Sequence, residues 1–131
     1  MRLVGLLIGV AVLAAGTAQA RLSVKERGEA ELAKELKGYA PGKTADCISI
    51  MQVTGQRVID GTAIVFQSLG GKLYVNRPDG AEFLRDDNIL VMKPVGSQHC
   101  RLDIVQQIDR ATHMHSGAVS LNDFTVYNKV R

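Results

Sequence analysis

The sequence predicts a mainly β protein: a small antiparallel barrel, roll or sandwich with one peripheral N-terminal helix and one disulfide. Three observations predict it. From residue 45 onward, short apolar runs of strand length are separated by glycine- and proline-bearing turns. Two of those turns, Asp60-Gly61 and Gly70-Gly71, suit tight hairpins, whose primed turns need positive φ. Cys47 and Cys100 are the two cysteines of a chain that opens on an export signal, and in an oxidising compartment such a pair reads as one bridge.

The export signal spans residues 1–20. Arg2 supplies the positive n-region, and Leu3 to Ala15 form an apolar run without a charge. Ala18-Gln19-Ala20 fits the small-x-small cleavage rule, which places the cut before Arg21. The run is short of the roughly 20 residues that a membrane span needs. No cysteine follows it to take a lipid anchor. The mature chain, residues 21–131, is expected in the periplasm or secreted, with no membrane span.

Residues 21–38 read as a helix, and residues 21–44 as a helix and turn ahead of a single β-domain over 45–131. Ser23 and Glu26 form a capping box, in which each side chain closes a free amide at the helix start. Gly38 suits the helix end. Leu32 and Leu36 lie one turn apart, with Val24 opening the segment. Most other positions are charged, and Gly28 weakens a helix interior by about 1 kcal/mol. The narrow apolar stripe predicts a helix that packs lightly on the domain or reaches a partner. Pro41-Gly42 marks Tyr39 to Thr44 as a turn.

Gln56–Ile59 and Thr62 onward form a first hairpin through Asp60-Gly61. Thr62–Ser68 and Lys72–Arg77 form a second through Gly70-Gly71. A two-residue loop sets Leu69 opposite Lys72, Ser68 opposite Leu73 and Phe66 opposite Val75. Ile64, Phe66, Leu73 and Val75 then share one face, and Gln67, Tyr74 and Asn76 the other. Arg77-Pro78-Asp79-Gly80 is a turn. Ile89 to Met92 is an unbroken apolar run, as in a strand buried on both faces, and Pro94 stops it. Ile104–Ile108, Ala118–Leu121 and Phe124–Tyr127 are further strands, with a polar loop over Arg110–Gly117.

The ordered pieces Asp46-Cys47-Ile48, Val58-Ile59-Asp60-Gly61-Thr62-Ala63-Ile64, Tyr74-Val75-Asn76-Arg77-Pro78, Asp86-Asp87-Asn88-Ile89-Leu90-Val91, Gly96-Ser97-Gln98-His99-Cys100, Asp103-Ile104-Val105 and Ser120-Leu121-Asn122-Asp123-Phe124 carry a resemblance. Over roughly residues 45–128 the chain resembles a family of small secreted proteins of Gram-negative bacteria, classed as a domain of unknown function. The resemblance implies export, a single domain and a structural cysteine pair, and it carries over no catalytic residue. Some relatives have a second cysteine pair near the positions of Glu82 and Ser120, which this chain lacks.

The chain has 131 residues and a net charge of +3, one less once Arg2 leaves with the signal. Its cations are scattered, with no basic stripe for nucleic acid and no polybasic run for a membrane surface. His113-Met114-His115 places two imidazoles on one side of an extended segment, where copper or zinc could sit with His99 or Asp109 as a further ligand. Set against this, H-x-H is a weak pattern, and the same residues serve as a solvated loop. Asp86-Asp87-Asn88 lacks the alternating spacing of a calcium loop and suits the start of the Ile89 strand. No Gly-x-Ser-x-Gly and no phosphate-cradling glycine loop occurs, and Ser97 near His99 makes no triad by adjacency. The expected function is therefore a non-catalytic binding or structural module of the cell envelope. It would act on an envelope protein or a small ligand and need no cofactor. Metal binding through His113 and His115 is the alternative, and a small hydrolase with a fold-assembled site is a third. The expected contact surfaces are the helix and any open sheet edge.

Overall fold

The computed structural model describes residues 22–94 and 96–130, together with Gly9. The signal peptide and its cleavage residues Ala18, Ala20 and Arg21 otherwise lie outside the described residues. The fold is mainly β and antiparallel, with one helix ahead of the strands and the Cys47–Cys100 disulfide formed. No helix among the described residues is long and apolar enough to cross a membrane.

The helix, α1, runs Val24–Glu35, with both hydrogen bonds of the Ser23–Glu26 capping box in place. It ends at Leu36, ahead of the expected Gly38. Strand β1 (Tyr39–Ala45) follows where a turn was expected. Pro41 is accommodated because β1 is an edge strand with a bulge between Pro41 and Thr44, where a missing N–H costs no ladder bond. Residues 39–44 therefore belong to the β-domain. A short strand, β2 (Cys47–Ser49), comes next, and β3 (Val53–Ile59), β4 (Ala63–Ser68) and β5 (Leu73–Asn76) form a meander. After a 3-10 turn at Ala81–Phe83 come β6 (Asn88–Met92), β7 (Gln98–Cys100), β8 (Ile104–Asp109), β9 (His115–Ser120) and β10 (Phe124–Lys129). The expected loop over Arg110–Gly117 is shorter than that, since His115 and Gly117 already pair in β9, with Ser116 bulged between them.

The strands form a five-stranded sheet, β1-β10-β5-β4-β3, a three-stranded sheet, β6-β8-β9, and a two-stranded ribbon, β2-β7. One face of the large sheet packs Ile64, Phe66 and Phe124 against Ile48, Val105, Val119, Leu84 and Leu121 of the second β layer. The other face packs Ile59, Ala63, Val65, Leu73 and Val75 under Leu32 of α1. The helix is peripheral in position but firmly docked, with Leu32 1% exposed. Full burial of one leucine contributes roughly 1.5–3 kcal/mol.

Gly28 explains the docking distance. A Cβ there would lie 1.8 Å from Thr62 Oγ1 and 2.6 Å from the Asp60 carbonyl oxygen. The residue that weakens the isolated helix is the one that lets it approach the β3–β4 turn. Arg57 then reaches Glu31 at 2.9 Å and also Glu35, while Arg77 reaches Glu29 at 3.1 Å. These pairs are exposed, so each adds no more than about 1 kcal/mol.

The second hairpin corrects the expected register. Its loop is three residues, Leu69–Gly71, closed by the Ser68 amide donating to the Lys72 carbonyl. Phe66 therefore pairs with Tyr74 and Val65 with Val75. A slip of one residue moves a strand's side chains to the opposite face. Leu73 and Val75 accordingly join Val65 beneath the helix, while Ile64 and Phe66 face the second β layer.

Candidate functional site

The three histidines do not converge. His99 sits in β7 opposite Ile48, 8% exposed, with its ring 6.1 Å from that of Phe66. Its Nδ1 has no hydrogen-bond partner among the described residues. Burial lowers its pKa by disfavouring the cation, and the Asp103 carboxylate partly opposes this. His115 lies in β9 opposite Ile108, in a different sheet. His113 occupies the turn before β9, with φ of 59°. Asp109, the other possible ligand, accepts the Ala111 and Thr112 amides at 2.9 Å on Oδ1. These bonds, from Thr112 and then Ala111, hold its carboxyl below the usual range. Among the described residues no group of three or more His, Cys, Asp and Glu side chains is placed to hold a metal ion.

Two further acidic side chains serve the backbone. Asp103 Oδ2 accepts the Cys100 amide at 2.8 Å, and Asp60 Oδ1 accepts the Asp86 amide at 2.6 Å. Asn88 donates to the buried Gln107, whose amide also accepts from the Arg85 N–H and donates to the Phe83 carbonyl. Cys47 and Cys100 are directly opposite each other on β2 and β7, so the disulfide staples a ribbon of only three residue pairs.

Two of the clefts that border the large sheet involve β3 or the turn that follows it. One, of about 400 Å³, lies between α1 and the β3–β4 turn and includes Val24, Lys25, Thr62 and the Arg77–Glu29 pair. That pairing lowers the Glu29 pKa through the Arg77 hydrogen bond and raises that of Arg77. The other, of about 340 Å³, runs between β3 and β6, with Arg57 and Val58 on one side and Asn88, Ile89 and Leu90 on the other. Arg57 is committed to Glu31 and Glu35, and Arg110 donates to the Asp87 carbonyl.

The surface that departs from a solvated sheet is the outer face of β6-β8-β9. Leu90, Met92, Val105 and Val119 point inward to the core. Alternation then places Ile89, Val91, Ile104, Gln106, Ile108 and Ala118 outward, where the strand register makes them neighbours. Ile104 is 55% exposed, and Ile89 and Ala118 are exposed too. An antiparallel sheet with one wet face normally alternates polar residues outward, and these strands place no charged side chain on that face between their ends. His115 stands at its corner, opposite Ile108.

Ile89–Met92 was expected to be buried on both faces; it is instead a half-buried edge strand with Ile89 exposed. The apolar stripe of α1 packs on the large sheet through Leu32 and Leu36, which leaves the charged face of the helix to solvent. Sequence reasoning missed the outer face because its residues come from three separated strands. The trace it leaves is apolar residues at both parities, at Ile89–Met92 and at Ile104, Val105 and Ile108.

Compared with protein-family models, curated proteins and solved structures, the chain matches none.

Proposed function

We propose that this protein is an exported, non-catalytic domain of the bacterial cell envelope, acting by surface contact through the outer face of β6-β8-β9. The observation that carries the reading is the uncharged, β-branched face of Ile89, Val91, Ile104 and Ile108. An uncovered apolar patch on a folded domain is a hallmark of a contact surface. Two features support the rest. The Arg57, Arg77 and Arg110 guanidiniums that line the clefts are each bound to a carboxylate or a backbone carbonyl, which leaves a fold-assembled hydrolase no uncommitted arginine there. The n-region, apolar run and Ala18-Gln19-Ala20 site, together with the disulfide and the resemblance to small secreted proteins, support export.

The test places a photo-reactive residue at Ile104 and, as a control, at Lys72 on the far sheet, in cells carrying the full precursor. Cross-linking to an envelope component from Ile104 and not from Lys72, lost in Ile108→Lys, is the expected result. Equal labelling from both positions, or an enzymatic activity that follows a single point substitution, would sink the proposal.

A further inference from the structure

Four strands border solvent in the two larger sheets: β1 and β3 in the five-stranded sheet, β6 and β9 in the three-stranded one. An open edge presents unpaired backbone groups to any other strand, and proteins blunt it with bulges, proline, glycine or charge. Three of these edges are blunted. β1 carries Pro41 and a bulge. β3 carries a bulge between Val53 and Gly55, and its Arg57 is charged. β9 carries a bulge opposite Gln107–Ile108, beside Gly117 with φ of 139°.

β6 has none of these devices. Asn88–Met92 pairs with β8 in unbroken register, without glycine, proline or charge. Its free side opens onto the groove it shares with β3. The charges stand just outside the strand and differ in sign: Asp86 and Asp87 precede it, and Lys93 follows. Asp87 and Lys93 are exposed and enter no ion pair among the described residues.

This pattern is complementary to itself. Two copies of β6 laid antiparallel about a two-fold axis at Leu90 set Ile89 opposite Val91 and Asn88 opposite Met92. Asp87 of each copy then meets Lys93 of the other. Like residues would meet like charges in a parallel arrangement, so the sign pattern selects the antiparallel one. A closed pair of this kind uses the same patch on both copies.

We infer that the protein associates with a second copy of itself through the β6 edge. The two three-stranded sheets become one sheet of order β9-β8-β6-β6-β8-β9. The outer apolar faces then run together into a single surface with Ile89 and Val91 at its centre. The inference goes beyond the contact function proposed above and does not depend on it. The two are separable, because one concerns an edge and the other a face.

The experiment is sedimentation equilibrium on the full chain as recovered oxidised from cells, comparing wild type with Asp87→Lys, Lys93→Asp and the double exchange. Wild type is expected to be a dimer. Each single exchange puts like charges together twice per dimer and should weaken association by about tenfold or more, and the double exchange should restore it. Both positions are exposed, so the variants retain the fold, which circular dichroism checks. Hydrogen exchange adds a readout without substitutions: the amides of Ile89–Met92 should gain protection as concentration rises. A monomeric wild type would overturn the inference. So would a dimer indifferent to both single exchanges, or one dissolved by Ile104→Lys and untouched by the exchanges. A monomer that binds a foreign extended peptide at β6 would reassign the edge to another partner and equally overturn it.

Discussion

At Gly28, two rules of protein chemistry point in opposite directions. Helix propensity favours alanine over glycine by about 1 kcal/mol. Packing opposes it, because the new methyl would meet Thr62 Oγ1 at 1.8 Å and the Asp60 carbonyl at 2.6 Å. A backbone oxygen does not swing aside, and overpacking a tight contact costs roughly 1–3 kcal/mol. Gly28→Ala is therefore expected to lower stability in urea unfolding. A gain would show that the helix can lift off the turn without loss. His99 gives the second prediction at this scale. Burial lowers its pKa in the folded protein, so the unfolded chain takes up the proton first as pH falls. The contribution of neutral His99 is present above the unfolded value of about 6.5 and is lost as pH falls from there toward the lowered folded value. Urea midpoints measured between neutral and mildly acidic pH should fall with acid, and His99→Leu should flatten that dependence. An unchanged slope would show that His99 does not control the response.

At the scale of elements, α1 is held by apolar burial, with its ion pairs as minor additions. Leu32 is 1% exposed, whereas Arg57 and Arg77 each keep about half of their side chains in water. Leu32→Ala is expected to cost roughly 2–5 kcal/mol. Arg57→Ala should cost under about 1 kcal/mol, although it removes two carboxylate contacts. The reverse order, read from denaturation midpoints, would mean that charge docks the helix. The β2-β7 ribbon is the other element whose stability rests on one feature. It has three residue pairs, with the disulfide joining the first across 53 residues of sequence. Loss of loop entropy in the unfolded chain makes such a bridge worth about 4 kcal/mol. A Cys47→Ala, Cys100→Ala double variant should lose about that much. His99 should become more accessible in it, since β7 carries both Cys100 and His99.

For the whole molecule, the five-stranded sheet is the middle layer, with the helix on one side and the remaining strands on the other. This arrangement gives the protein two cores, one of which involves the N-terminal helix. A chain trimmed to begin at β1 would expose Val65, Leu73 and Val75, so truncation before Tyr39 should yield an aggregating protein. A well-behaved truncated domain would show that the helix is dispensable. Export is tested at this scale as well. The protein recovered from the envelope should have the mass of residues 21–131 less two hydrogens.

The sequence alone identified the β-rich class, the capping box, most strands from β3 onward and the cysteine pair. Each is written locally, in turn residues, in runs of strand length or in the presence of only two cysteines. It also singled out His99, His113 and His115 but could not tell that His99 lies in the core and the other two at the far end of a different sheet. The hairpin register, by contrast, depended on one added loop residue. β4 has Ala63, Ile64, Val65 and Phe66 buried on both faces, so its hydrophobic pattern is the same in either register. Whether Gly28 is a defect or a fitting, and whether Ile89–Met92 is a core strand or an edge, were equally undetermined. Those answers depend on which distant segment lies against the residue, and adjacency in space between residues far apart in the chain is set only when the layers pack.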